Sequence, residues 1–449
     1  MPDQQPHLRR ELGLRDLTLF LIALMVGPRW ISVAAHGGPG SILIWILAAL
    51  FMAIPLAIAV AALSAKYPGA GGLYIWARND FGPWHGFLNF WVYWLSVCFL
   101  FPGAALFVLG IGVYSLGPAY AHLAENRWYM IGGSLLLVWI ALGTNLVGIN
   151  IGKWTENIGG AMPWMLGLLL CATATVLGLR HGSATPITLQ SAWPVWNWDT
   201  MNSVAAIAFA ISGMEAAGMM AAEIRDPLRT IPRAAALSSV FVTIFYIAST
   251  ISLMVLMSPG KISEINGLAQ VTANAGTELG IPWLAPAVVV LVVINVVGAF
   301  GGLGSAVSRM PFAAGVDHLL PAAFGKLHPR WNTPYVAILS LGAAATFLLV
   351  AIQAGDTVKT AYRTIVDLTV ITGFLPYLYI FLSAWKAQKW FSAAAGLAVS
   401  LLAIACSIVP PPDVTRFWLF EGKLALGTAA TVASGWLIYR RSLPQKGSA

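Results

Sequence analysis

Gly27-Pro28-Arg29-Trp30 and Ser212-Gly213-Met214-Glu215-Ala216-Ala217-Gly218 interrupt two long apolar stretches, and the fold follows from reading those interruptions. Proline removes a backbone donor and clashes with the preceding helical turn, and glycine weakens a helix further. Each interruption also carries one charged residue, Arg29 or Glu215. A break of this kind frees N–H and C=O groups. In lipid such groups are tolerated only around a cavity, where they bind something.

The surrounding chain fixes lipid as the solvent. Of 449 residues, 58% are hydrophobic and 9% are charged, against about 25% charged in an ordinary soluble domain. Three cysteines, Cys98, Cys171 and Cys406, sit in apolar runs and read as small hydrophobes, which excludes a disulfide scaffold. Long segments such as 30–65, 81–124, 234–260 and 279–308 contain no Lys, Arg, Asp or Glu. A spanning helix needs about 20 mostly apolar residues. The runs lack the alternation of a barrel strand, so they are helices.

Splitting the runs at Gly/Pro and charge clusters predicts an all-α integral membrane protein of about twelve spans: 15–36, 41–65, 83–115, 127–149, 154–179, 199–224, 234–257, 282–311, 333–354, 362–385, 391–410 and 417–439. The breaks fall in the first and sixth spans. Each opens a block of five, 15–179 and 199–385. Five is odd, so the second block enters the bilayer from the opposite side. That is a 5+5 inverted repeat with matching discontinuous helices, the arrangement that marks a transporter site. Residues 391–439 supply two accessory helices. Residues 1–14 and 440–449 are cytoplasmic ends.

Charge sets the orientation. With both termini inside, seventeen of the 25 Lys and Arg lie on the inner side and seven outside, with Arg29 within a helix. This is the positive-inside pattern, expected of a multi-pass protein in a bacterial-type inner membrane. The net charge of +8 is thus a topology signal, and no basic patch for nucleic acid is visible. Arg9, Arg10, Leu17–Val26 and Ser32–Ala35 imitate a secretory signal. Arg15, Asp16 and the Gly27-Pro28 break favour a first helix interrupted near its middle instead.

Several stretches resemble the amino acid–polyamine–organocation (APC) superfamily of permeases over residues 9–385. They are Arg10-Glu11-Leu12-Gly13-Leu14-Arg15-Asp16-Leu17, then Tyr67-Pro68-Gly69-Ala70-Gly71-Gly72-Leu73-Tyr74 with Phe81-Gly82. Gly213-Met214-Glu215-Ala216 and Asp226-Pro227-Leu228-Arg229-Thr230-Ile231-Pro232-Arg233 follow, and then Ser308-Arg309, Leu320-Pro321 and Thr333-Pro334. The resemblance implies a LeuT-like fold, with alternating access around a site built from helices one, three, six, eight and ten. It also implies amino acid or related amine substrates, moved by proton symport or exchange. Two departures stand out. The first break reads Gly27-Pro28-Arg29-Trp30 where the family usually has Gly-Ser-Gly-Ile/Val. Helix five (157–179) lacks the lysine of proton-coupled members, with Pro163-Trp164 near its place. An aromatic gate precedes the sixth-helix Gly-x-Glu by four residues in the arginine/agmatine antiporters, and Phe209 matches it.

The candidate substrate-binding residues are Gly27, Arg29, Trp30, Ile31, Phe101, Phe209, Ser212, Gly213, Met214, Glu215 and Ala216, with Arg29, Glu215 and Phe209 also candidates for coupling and gating. A charge near the bilayer centre costs at least about 2.5–3.5 kcal/mol, so Arg29 faces the bundle interior or water. It either receives a substrate carboxylate or pairs with Glu215 across the two breaks. Glu215 is either a proton carrier or cation partner, or an acceptor for freed backbone N–H groups. Trp30, Phe209 and Phe101 read as gates or as ordinary packing. Ser305 and Ser308 offer hydroxyls to a cation or bond back to their own helix. Arg363 and Asp367 read as a local ion pair or an outer gate.

The expected function is a secondary amino acid transporter, with a carboxylate-bearing substrate favoured and H+ a candidate coupling partner. Polyamine or cationic amino acid transport is the alternative; Glu215 supports it and Arg29 opposes it. A structural or proton-conducting subunit would carry a chain of intramembrane ionisable residues, and only Arg29 and Glu215 lie deep. No nucleophile–base constellation for an enzyme, no metal spacing among the seven histidines, no cofactor motif and no Gly-rich phosphate loop is visible.

Overall fold

The computed structural model describes residues 11–442 except Ala70, Gly148, Asn197, 354–357 and 409–416. Among the described residues, eight helices are long and apolar enough to cross a bilayer, and Leu14–Met25 with Arg29–His36, bent by 50°, makes a ninth span. Three expected spans complete the order: the interrupted helix that starts at Trp198–Ala210, then Tyr335–Gln353, and Phe417–Ser442. The fold is thus all-helical, with the inverted five-plus-five arrangement and two accessory helices.

The first helix stops at Met25. Val26 is extended, and Pro28 caps the second half from a helical φ of −56°. Proline suits a helix start because the donor it lacks would be an orphan there. Arg29 and Trp30 therefore open the second half-helix instead of lying in the unwound stretch, as the sequence suggested.

The sixth helix breaks after Ala210 and resumes only as a single turn, Ala216–Met219, and a 3-10 turn, Ala221–Glu223. Gly213 sits at φ 117°, a conformation that L side chains rarely adopt. The span read as 199–224 is thus discontinuous, as expected, and its second part is too short to sum a useful dipole. The N-terminal segment explains where it stops. Glu11 and Leu12 both donate N–H to the Glu223 carbonyl, at 2.9 and 3.1 Å, and Arg225 N–H donates to the Leu12 carbonyl at 2.9 Å. An extended strand thus takes over the backbone groups that another helical turn would have used.

Other boundaries moved for local reasons. The second span runs from Gly40 to Lys66 through a π-helical stretch at Ala49–Ala53. The seventh begins at Pro227, seven residues earlier than expected, because Pro227 is tolerated in a first turn after left-handed Asp226. A short helix, Leu73–Phe81, docks the loop after the second span onto the sixth: Gly71 N–H donates to the Met219 carbonyl at 3.1 Å.

Small residues let the spans approach closely. A Cβ on Gly160 would lie 2.2 Å from the Leu19 carbonyl oxygen, so the fifth helix (Ile149–His181) touches the backbone of the first. Gly159 and Gly298 meet in the same way between the fifth and eighth helices, the latter Leu284–Val316.

Candidate functional site

The two breaks lie against each other. A Cβ at Gly213 would meet Met25 Cγ at 3.3 Å. Around them opens a cavity of about 900 Å³, its mouth included. The first break contributes Gly27, Pro28, Arg29 and Trp30, and the sixth contributes Phe209, Ser212, Gly213 and Glu215. The third helix (Pro83–Ser115) adds Tyr93 and Ser96, the eighth adds Phe300, and the tenth (Val358–Lys386) adds Thr369, Gly373 and Tyr377. These are the five helices expected to surround the site.

Seven of the eleven candidates line this cavity. Ile31, Phe101, Met214 and Ala216 do not. All four are buried behind the wall. Phe101 stacks on Phe300 with ring centroids 4.3 Å apart, so it supports a lining residue. Sequence spacing names the neighbourhood of a break but not which side chain turns inward.

Among the described residues, Arg29 and Glu215 are the charged residues that line the cavity, and they are 3% and 1% exposed. No ion pair joins them among the described residues. The Arg29 guanidinium instead lies 4.0 Å from the centroid of the Trp30 ring, a cation–π distance. Gly103 gives it room on the third helix, where a Cβ would come within 3.3 Å of Nη1.

Glu215 is anchored on two sides. Its Oε1 accepts from the Tyr93 hydroxyl at 2.6 Å and the Tyr377 hydroxyl at 2.8 Å. Its Oε2 accepts the Gly213 N–H at 3.0 Å. The carboxylate thus satisfies the unwound backbone and ties the sixth helix to the third and tenth. Tyr93 and Tyr377 were not anticipated. Twelve tyrosines occur in this chain, and nothing local in the sequence marks these two.

Tyr246, on the seventh helix, was also missed. Its hydroxyl accepts the Gly27 N–H at 2.8 Å and donates to the Met25 carbonyl at 2.9 Å. Both breaks are therefore stitched by a side chain. Freed main-chain groups that the sequence reading left for a ligand are partly used by the protein itself.

Phe209 meets Trp30 edge-on at 5.8 Å and Phe374 at 6.0 Å. It lies on Gly373, where a Cβ would come 2.6 Å from Cε2.

The eighth-helix serines are occupied. Ser305 Oγ accepts from Arg309 Nη1 at 2.8 Å, and Ser308 Oγ donates to the Ser305 carbonyl at 2.7 Å. They bond within their own helix, the second of the two options they offered. Arg363 has its side chain outside the described residues, so its pairing with Asp367 is not part of this description.

Several contacts cross the face that carries the N-terminal segment. Lys153 pairs with Asp16 at 2.7 Å between the fifth and first helices. Asp317, at the end of the eighth helix, accepts from Tyr74 and Arg78 of the short helix. Burial, and then Asp317, push the Tyr74 phenol well above its ordinary pKa, so it stays a donor. Arg309 and Glu223 form a buried ion pair, with 2.8 Å from Nε to Oε1 and 3.0 Å from Nη2 to Oε2.

Comparison with known proteins matches this geometry. The family model described as amino acid permease matches residues 12–418. An uncharacterized transporter of Legionella pneumophila is 23% identical over 97% of this chain and 98% of its own. A probable agmatine/putrescine antiporter of Lactococcus lactis is 23% identical over 77% of this chain and 72% of its own. The human Asc-type amino acid transporter 1 is 26% identical over 78% of this chain and 67% of its own. Among solved structures, MhsT in complex with L-phenylalanine superposes with a TM-score of 0.62 at 14% identity, covering 93% of this chain and 98% of that one.

Proposed function

The chain belongs to the amino acid permease family, and from that premise we propose that it is a secondary transporter that moves amino acids by alternating access and selects them through a carboxylate bound near Arg29. The observation that carries the reading is the shared cavity of the two breaks, in which the charged lining residues are already differentiated. Glu215 accepts three hydrogen bonds from its own protein. A carboxylate offers about four acceptor positions, which leaves it little capacity for a substrate amine. Arg29 opens a half-helix at the cavity wall. A guanidinium suits a carboxylate bidentately.

Polyamine or cationic amino acid transport is the second reading. It is supported by the presence of Glu215 in the wall and by the Lactococcus relative named for agmatine and putrescine. A cation placed in this cavity would lie close to Arg29, which weighs against it.

The two five-helix blocks, about 15–179 and 199–385, rock against each other around this cavity, coupled to H+ or to exchange. The excess of Lys and Arg orients the N-terminal face to the cytoplasm of a bacterial-type inner membrane.

Uptake by purified protein in liposomes tests the substrate reading, with radiolabelled glutamate, a neutral amino acid and putrescine compared. Arg29→Ala is expected to raise the KM for the preferred amino acid roughly 10- to 100-fold, as loss of a charged hydrogen-bonded contact of about 1.5–3 kcal/mol requires. Unchanged uptake in that variant, or preferred uptake of putrescine, sinks the carboxylate reading.

A further inference from the structure

The cavity wall changes character along the third helix. Tyr93 and Ser96 line it first, and Val97, Leu100, Ala104 and Phe107 follow. The last four are spaced three or four residues apart, so they form one stripe along that helix. The eighth helix lines the cavity with Val296, Ala299, Phe300 and Leu303, again at helical spacing. Its polar members Asn295, Ser305 and Ser308 lie outside the lining. Asn295 gives its amide to the Gly159 carbonyl at 3.2 Å, and the two serines bond within their own helix.

The apolar stripe of the third helix lies beside Arg29. A Cβ on Gly103 would stand 3.3 Å from Arg29 Nη1, so the guanidinium reaches that helix next to Ala104. A carboxylate held there has the stripe for a neighbour.

The hydroxyls in the wall have their hydrogens engaged. Ser96 Oγ donates to the Tyr93 carbonyl at 2.7 Å, Ser212 Oγ to the Phe209 carbonyl at 2.6 Å and Thr369 Oγ1 to the Ile365 carbonyl at 2.7 Å. Tyr93 and Tyr377 give theirs to Glu215. A hydroxyl has one hydrogen to donate, so each of these five must break a bond within the protein before it can serve a polar side chain of a substrate. The wall is also firm. Phe300 is backed by the ring of Phe101, which is fully buried.

A substrate side chain laid along these stripes meets carbon. A charged or amide group placed there leaves water without gaining a partner from the stripes, which is unfavourable. An apolar group gains by leaving water, in proportion to the area it buries. We propose that the third- and eighth-helix stripes receive the substrate side chain and select neutral amino acids whose side chain is large and apolar. Ala104 and Ala299 are the specificity-determining positions. They are the smallest members of their stripes and are half-buried, whereas Val97, Phe107 and Phe300 are buried. Each leaves room that a longer side chain would fill. The inference rests on the carboxylate reading above and extends it from the substrate's head to its tail.

The test is uptake by the purified full chain in liposomes, with radiolabelled phenylalanine, leucine, alanine and glutamate compared. One methylene in an apolar pocket is worth roughly 10- to 200-fold in specificity. Leucine and phenylalanine are therefore expected to exceed alanine at least about tenfold in kcat/KM, and to exceed glutamate by at least as much. Ala104→Leu and Ala299→Leu fill the space between the stripes. Each is expected to raise the KM for phenylalanine about tenfold or more relative to that for alanine. An equal loss for phenylalanine and alanine in both variants overturns the proposal. So does a wild type that takes glutamate or alanine ahead of leucine and phenylalanine, and this order decides the matter if neither variant inserts. Uptake in the wrong order that still falls in Arg29→Ala leaves the carboxylate reading standing and removes this inference alone. No uptake of any amino acid removes both.

Discussion

The Tyr246 hydroxyl bridges the gap in the first helix, accepting from Gly27 N–H at 2.8 Å while donating to the Met25 carbonyl at 2.9 Å. One phenol oxygen thus replaces two main-chain partners that the break removed. Tyr246 is fully buried, and its ring stacks on Trp45 of the second span at 4.2 Å. The position of the break is therefore fixed by the seventh helix as well as by Pro28.

Tyr246→Phe keeps the stacking and loses the bridge. Two backbone groups at the break, one of them half-buried, are then left unsatisfied, at a cost of up to about 1–3 kcal/mol each when no water replaces the hydroxyl. The expected result is a lower unfolding temperature in detergent together with weaker uptake. A variant with wild-type thermal stability and wild-type uptake means that the bridge contributes nothing.

Glu215→Gln separates charge from geometry. Both tyrosine hydroxyls bond Oε1, while Gly213 N–H bonds Oε2. Glutamine offers only one acceptor oxygen. If that oxygen serves the tyrosines, its NH₂ faces the Gly213 N–H, donor against donor. The sixth-helix break then loses its partner, so Glu215→Gln is expected to lower uptake more than Tyr93→Phe or Tyr377→Phe, each of which removes one of two shared bonds. Comparable initial rates in all three variants would falsify this ordering.

The contrast between Pro28 and Tyr246 shows what a sequence carries. Pro28 and Gly213 act through their own backbone, by a missing donor and a left-handed φ, so both breaks are legible from the residues themselves. Arg29 and Glu215 are conspicuous because charge is expensive in lipid. Tyr93, Tyr246 and Tyr377 act across more than a hundred residues, through hydroxyls whose partners exist only after folding. Ile31, Met214 and Ala216, in or beside the breaks, do not line the cavity for a related reason. At a break the helical periodicity stops, and with it the rule that says which side chain faces inward. The short second part of the sixth helix was hidden too, because a strand from residues 11–12 ends it.

Gly373 sets the position of Phe209. An added methyl would stand 2.6 Å from Phe209 Cε2, so Gly373→Ala must push the ring toward the cavity or toward Trp30. Overpacking of this kind costs about 1–3 kcal/mol. Its expected signature is a raised KM for bulky amino acids with small ones less affected. Adding Phe209→Leu frees space and is expected to restore part of the loss. Uptake of a large and a small amino acid by the single and double variants measures this, and absence of any rescue would show that Gly373 acts through a different contact.

The Arg309–Glu223 pair is expected to behave as a buried ion pair and not as a surface one. Its side chains are 4% and 0% exposed, whereas the Arg229–Asp226 pair nearby is 79% and 56% exposed at 3.8 Å. Removing one partner of a buried pair leaves an uncompensated charge and costs about 3–5 kcal/mol, while replacing both with apolar residues is often far milder. Arg309→Met alone is therefore expected to destabilise strongly, because it leaves the buried Glu223 carboxylate without its cation. Arg309→Met with Glu223→Leu is expected to recover much of that loss. Asp226→Ala is expected to change stability by less than about 1 kcal/mol. Unfolding temperatures in detergent at low and high salt check all three, and the Arg309 effect should persist at high salt because water and ions are kept from the pair. A double variant no more stable than Arg309→Met would mean that the arginine is held chiefly by its Ser305 contacts.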